Sequence, residues 1–297
     1  MMRQLLCIAA LSVAPSLTLA QNAADGPELN GMRVSPTVPL KIYNPAGSVR
    51  VLAWDYDSIS VHGATRPRGF FFGRNPGGIK FGVNEFMFGV EEPRGLDTAR
   101  AAHFTVYVPR HSQVAVKTAT ASIDATNVGG LFYTVSGPIQ VRGSAATIDV
   151  ESMTGNVDVN AGASWLRART SQGRLLIRGE VQDVDASTID GAMDVATSSI
   201  FRGRFQSVNG DIRFAGTPLR AAIFEFSNHA GAVDFALGRE TSSVFELSSV
   251  SGPIENGYSE LRPVAATPHS MRLRVGGGDA QVTVRTFKGP IRLRPQR

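Results

Sequence analysis

From Thr134 onward the chain alternates apolar and polar residues in short runs, and the runs return at a nearly fixed interval. The recurring phrase is a Ser or Thr, two residues, a Gly, and then apolar residues two and four places on. It stands at Thr134–Gly137, Ser152–Gly155, Thr170–Gly173, Thr188–Gly191 and Ser207–Gly210, with glycines 18, 18, 18 and 19 residues apart. Two places after the corner glycine come Ile139, Val157, Leu175, Met193, Ile212, Val233, Ile254 and Ile291. Seven places before it, in most coils, come Ile148, Leu166, Val184, Phe224, Phe245 and Val282. A spacing of two puts these side chains on one face of a strand. Their neighbours Asp149, Asp158, Arg167, Asp185, Asp194 and Arg213 then face water. No helical period of 3.6 runs through this span. One such strand pair cannot bury its apolar face, but stacked coils share a continuous interior.

The pattern therefore predicts an all-β, single-domain β-solenoid of short 18–21-residue coils with an N-terminal β-strand cap. Its corners fall at Gly47, Gly137, Gly155, Gly173, Gly191, Gly210, Gly231, Gly252 and Gly289, where the backbone must take positive φ or pass close to the next coil. The Ser or Thr three places earlier is placed to hydrogen-bond the corner backbone. Gly210, Gly231 and Gly252 are 21 residues apart, and phenylalanine takes over the inward positions at 205, 214, 224, 226, 235 and 245. Gly252 to Gly289 spans 37 residues (289 − 252), which reads as about two coils with one corner glycine missing. Within it, 263–268 reads as a loop, 271–275 as a strand, and Gly276-Gly277-Gly278 as a turn back. Arg292, Arg294, Arg297 and Pro295 stand where they would blunt a terminal edge.

Upstream, Leu40, Ile42, Val49 and Val51 alternate around Asn44-Pro45-Ala46-Gly47, a strand–turn–strand pattern. Trp54 reads as a cover over the open end of the core, with a ligand contact as the alternative. Phe104, Val106 and Val108 alternate up to Pro109, and Val114 and Val116 beyond it, so 37–118 forms a capping region ahead of repeats at 119–297. Residues 64–98 break the rhythm as an insertion or long hairpin. There Arg68, Phe70, Phe71, Phe72 and Arg74 mix cations with aromatics and form the candidate partner contact. The competing reading folds these phenylalanines over the apolar end of the repeats.

Residues 1–20 carry Arg3, a broken apolar run and Thr18-Leu19-Ala20, the signature of a secretory signal cut after Ala20. That run is too short for a membrane span of about 20 apolar residues. Residues 21–36 read as a flexible polar leader. Cys7, the only cysteine, lies in the signal, so the exported chain would have no thiol. The net charge of +5 comes from 26 Arg and 4 Lys against 25 acids. No dense basic–aromatic run marks a nucleic-acid footprint.

The corner phrases from 134 to 293, the run Asn44-Pro45-Ala46-Gly47-Ser48-Val49-Arg50-Val51 with Trp54-Asp55, and Phe104-Thr105-Val106-Tyr107-Val108-Pro109-Arg110 together resemble the DUF4097 family, adhesin-labelled proteins of bacterial envelopes. The resemblance covers 37–293 apart from the insertion. It implies an exported protein of the periplasm or outer envelope. It brings no catalytic or binding residues that could be placed here.

The candidate chemistry is sparse. His62, His103, His111, His229 and His269 form no His-Glu-x-x-His pattern, and no Gly-x-Ser-x-Gly elbow occurs. His229 sits in a corner with one extra residue, which marks either a site or a solvated turn. Aspartates 124, 149, 158, 185, 194, 211 and 234 recur along the coils, where stacked carboxylates would suit a glycan-cleaving pair or a calcium ion. Arg142, Arg167, Arg169, Arg174, Arg178, Arg202 and Arg204 lie at spacings that let them pair with acids instead. The leading expectation is an exported envelope solenoid with a structural or adhesin-like binding role and no cofactor. Its expected partners are envelope polysaccharide, lipopolysaccharide or an envelope protein. The alternative is a carbohydrate-active β-helix, a lyase or hydrolase. A third reading, end-to-end self-association, is opposed by the capping strands.

Overall fold

A computed structural model describes residues 31–63, 70–83, 101–197, 199–258 and 262–296. The expected signal peptide, most of the expected leader, Arg68, the rest of 64–69 and 84–100, and Arg297 lie outside the described residues. Every described element is a strand. Two parallel sheets face each other, and each coil gives one strand to each. The first coil is β2 (Pro39–Asn44) and β3 (Gly47–Trp54); then come β8 (Gln113–Thr118) and β9 (Ser122–Thr126). β10 (Gly130–Thr134) is followed by β11 (Ile139–Ser152) and β12 (Val157–Thr170), 14-residue strands that each bend round a corner and serve two coils. β13 (Leu175–Arg178) completes the coil that β12 begins. The next coils are β14 (Val181–Thr188) with β15 (Met193–Ala196), β16 (Arg202–Ser207) with β17 (Ile212–Gly216), and β18 (Ile223–Asn228) with β19 (Val233–Leu237).

Equivalent residues stack in register. Ile139, Val157, Leu175, Met193, Ile212, Val233 and Ile291 are successive partners on one sheet, and all are fully buried. The six inward phenylalanines are also buried, and Phe205, Phe226 and Phe235 form a chain of ring contacts at 4.7 and 4.8 Å. Such aromatic pairs add about 0.5–1.5 kcal/mol each beyond area burial.

The corner phrase has a definite geometry. A Cβ placed on Gly155 would collide with the carbonyl oxygen of Gly137; on Gly173, with that of Gly155; on Gly191, with that of Gly173; on Gly210, with that of Gly191. These glycines are needed for close approach. Gly47 also takes positive φ, at 103°, against the Ala102 carbonyl. The hydroxyl ladder beside them is buried. The N–H of Gly137, Gly155, Gly173 and Gly252 donates to Thr134, Ser152, Thr170 and Ser249 at 2.8–3.1 Å.

Both ends depart from sequence order. β6 (Gly78–Val83) and β7 (Ala102–Pro109) follow the first coil in the chain yet stack outside it, on β2 and β3. At the other end β24 (Ala280–Thr286) and β25 (Ile291–Pro295) lie between β18/β19 and the earlier coil β20 (Ser243–Ser249)/β21 (Ile254–Asn256). The stretch from Gly252 to Gly289 is therefore a hairpin and one retraced coil, in place of the two successive coils expected from its length. β25 is an inner strand, so Arg292 and Arg294 do not blunt an edge; Arg292 pairs with Asp234 and Glu255 on either side. Antiparallel strands cover the ends. β23 (Ser270–Val275) pairs with β20, and β22 (Ala265–Thr267) with β23. At the start, β4 (Ser58–Gly63) pairs with β7, β5 (Phe70–Asn75) with β6, and β1 (Met32–Arg33), at the end of the polar leader, with β4.

Candidate binding surface

The outer faces of the coils carry an arginine–carboxylate ladder. Asp149 is held by Arg167, Asp158 by Arg178 at 2.9 Å, Asp183 by Arg202 at 2.7 Å, and Asp194 by Arg174 at 2.7 Å. Arg142, Arg169 and Arg204 reach Asp124, Asp185 and Glu225, so all seven arginines singled out in the sequence have an acidic partner. Exposed pairs of this kind contribute little each, about 0–1 kcal/mol. Their effect is to engage the carboxylates that a glycan-cleaving site would need. Among the described residues, no group of three His, Cys, Asp or Glu is placed to hold a metal ion.

At the N-terminal end the outer surface changes character. On the sheet of β3, Val49, Val51 and Ala53 point inward, so Trp54 points out. The expectation that Trp54 covers the core end is thus corrected by the strand alternation itself. Its indole stacks on Tyr107 at 5.2 Å, meets Tyr56 edge-on at 5.3 Å, and donates from Nε1 to the Ser58 carbonyl at 2.7 Å. His62 meets Tyr107 at 5.8 Å and bonds Ser60 Oγ through Nε2 at 2.9 Å. Arg110 bonds Asp55 beside this shelf, and its hydrogen bond and charge hold the Asp55 carboxyl below its usual range.

The candidate contact residues divide along β5, which leaves the core surface after its first residue. Phe70 packs on the core and contacts Phe104 at 6.2 Å. Phe71 faces out, 6.2 Å from Tyr43, and Lys80 Nζ sits over both rings at 5.6 and 5.3 Å. Phe72 and Arg74 are exposed. So one phenylalanine closes the core end while its neighbours stay on the surface.

A groove of about 590 Å³ crosses the first sheet at this end, lined by Pro39, Ala115, Leu131 and Ala145, with Lys41, Arg110 and His111 beside them. Its cause is a step in coil length. From Ala121 to Gly137 a coil takes 16 residues (137 − 121), against 18 (155 − 137) for the next. The longer coil carries Ala145–Thr147 out past Gly129–Leu131. Sequence reading missed both groove and shelf, although the 16-residue interval and the outward phase of Trp54 were visible in it.

No family model matches the chain, and the comparison with curated proteins finds no match. Among solved structures it is similar to a "putative cell adhesion protein" from Clostridium sporogenes (7% identity, TM-score 0.24), a "putative adhesin" from Bacteroides fragilis (10%, 0.47) and a "putative lipid binding protein" from Parabacteroides distasonis (10%, 0.49). Each alignment covers 88% of this chain and 94% of the other. Among the described residues no helix is long and apolar enough to cross a membrane.

Proposed function

We propose that the chain is an exported, non-catalytic binding module of the bacterial envelope, of the DUF4097 type, which holds envelope polysaccharide or lipopolysaccharide at its N-terminal end. The observation that carries this reading is the concentration there of outward rings (Trp54, Tyr56, Tyr107; Tyr43, Phe71) with His62, Lys41 and Lys80 beside a groove. Flat rings offer apolar contact to sugar faces, and amphipathic aromatics suit such interfaces. The remaining coils, whose outer sheet faces carry paired charges, serve as a rigid spacer. The carbohydrate-active alternative would draw its acid and base from the recurrent aspartates, and arginines already engage most of these.

The test is a glycan-array screen, with a parallel lipopolysaccharide-vesicle sedimentation assay, on the purified chain. Saturable binding to an envelope glycan or lipopolysaccharide without product release supports the reading. Absence of binding to every envelope component, or cleavage of a bound glycan, overturns it.

A further inference from the structure

One position of the corner phrase remains unused: the residue directly after the Ser or Thr, whose place Asn228 takes in one coil. Taken in stacking order it reads Val135, Met153, Ser171, Ile189, Val208, His229, Phe287 and Val250. Backbone hydrogen bonds fix that order. The carbonyls of Val135, Met153, Ser171, Ile189, Val208, His229 and Phe287 each accept an N–H from the next coil, at 2.7–3.0 Å. With those backbone groups satisfied, the row is not an open strand edge, and only its side chains are on offer. Among the described residues ten large hydrophobic side chains are exposed, and five of them, Met153, Ile189, Val208, Phe287 and Val250, fall in this one row at 43–60% exposure. Scattered exposed hydrophobics are ordinary; an aligned stripe marks an interaction surface.

The stripe is its own mirror. Read from either end it runs apolar, apolar, polar, apolar, apolar, polar, apolar, apolar. We propose that this corner is the interface with a second copy of the chain, laid side by side and antiparallel about a two-fold axis between the Ile189 and Val208 coils. Such an interface must be self-complementary. In this arrangement Val135 meets Val250 of the second copy, Met153 meets Phe287, Ser171 meets His229, and Ile189 meets Val208. Large faces large, and the two polar positions face each other.

The flanking row on the first sheet agrees in charge. An axis across the stripe brings this row against itself in reverse, so Glu151 meets Arg285, and Arg169 meets Ser227. A parallel pairing, about an axis along the stripe, would instead turn this row toward the row that flanks the stripe on the other sheet and forgo the Glu151–Arg285 contact. Eight coils at about 4.8 Å give a strip some 38 Å long, and with its flanks about 600–800 Å² per copy, at the weak end of specific interfaces. Dimerisation is therefore expected at micromolar concentrations. Because it uses a different edge from the aromatic shelf, it stands independently of the proposed function.

The test uses the full chain with Cys7→Ser. Sedimentation equilibrium up to about 200 μM should show a monomer–dimer equilibrium; a monomer throughout overturns the proposal. Ile189→Glu should weaken association about tenfold or more while leaving the circular dichroism spectrum unchanged. Met153→Cys with Phe287→Cys should give an oxidised covalent dimer. Within one copy these positions are five coils, about 24 Å, apart, so they cannot close on themselves. Either single cysteine should give little dimer. Equal cross-linking by the singles, which a parallel or random encounter produces, contradicts the antiparallel assignment. Glu151→Arg should weaken the dimer, and adding Arg285→Glu should restore it; failure of the swap to restore overturns the register. Vesicle binding through the stripe by a chain that stays monomeric would assign it to a lipid surface and likewise overturn the proposal.

Discussion

Gly289 rests on the carbonyl oxygen of Gly231, and Gly252 rests in turn on that of Gly289. The last coil of the chain is thereby seated between two coils made before it. Its strands cannot join their neighbours until β20 and β21 have left room for them. The C-terminal third then closes as one unit, with Val282 between Phe224 and Phe245 in register.

This order is directly testable. Ser227 and Arg285 are neighbours in register, whereas Ser248 lies one strand beyond. Adjacent strands are about 4.8 Å apart, within disulfide reach, and two steps make about 9.6 Å, outside it. Ser227→Cys with Arg285→Cys should form an intramolecular disulfide, detected by mass spectrometry under dilute oxidation. Ser227→Cys with Ser248→Cys should not. The opposite outcome would restore simple sequential stacking.

The corner glycines set a second expectation. Gly173→Ala puts a methyl group onto backbone of the preceding coil, which cannot move without breaking its own ladder. Overpacking of this kind costs about 1–3 kcal/mol. At Gly162 the nearest atoms to an added Cβ are 3.6 Å or more away, and Gly162→Ala should change stability by about 0.5 kcal/mol or less. Denaturant melts of the two variants compare these directly.

The buried hydroxyl row separates two threonines that look identical in sequence. Thr170 accepts the Gly173 N–H at 3.1 Å and donates to the Gly155 carbonyl at 3.3 Å, so Thr170→Val should cost about 1–2 kcal/mol. Thr188 is equally buried, but its Oγ1 makes no hydrogen bond. Thr188→Val removes an unsatisfied polar atom and should be neutral or stabilising. Equal losses in both melts would contradict the assignment.

These particulars show what the sequence could and could not convey. The inward rows, the corner glycines and the Ser or Thr beside them were legible because each coil repeats the same physical requirement. The stacking order at the ends was not, since every coil presents the same apolar face and the same corner. Nothing in Ser249-x-x-Gly252 distinguishes a seat on Gly231 from one on Gly289. Trp54 was misread for a different reason: its aromatic bulk was weighed ahead of its phase relative to Val49 and Val51, which already set it outward.

Two tyrosines bear on alkaline stability. Burial pushes the Tyr133 phenol up, with the charge of Glu151 adding to it, and burial also raises Tyr258. A folded-state value above the unfolded one of 10.0 favours the protonated phenol in the native chain. That contribution is fully present below pH 10 and is lost as pH rises through the higher folded values. Tyr133→Phe and Tyr258→Phe should therefore each flatten the fall in melting temperature above pH 10, while Tyr258→Phe also lowers the melting temperature at pH 7 by losing its bonds to the Leu237 and Arg294 carbonyls. A fall unchanged in both variants would place the alkaline weakness elsewhere.

The measurement that bears most directly on the proposed role is equilibrium binding of the chain to purified lipopolysaccharide and envelope polysaccharide, compared between two variants that keep the fold. Trp54→Ala with Tyr107→Ala strips the shelf and should weaken binding about tenfold or more, as loss of central aromatic anchors does. Asp158→Asn alters the paired-charge ladder at a distance from the shelf and should leave affinity within about twofold. If the ladder variant loses binding while the shelf variant keeps it, recognition belongs to the repeating face and the N-terminal assignment is wrong.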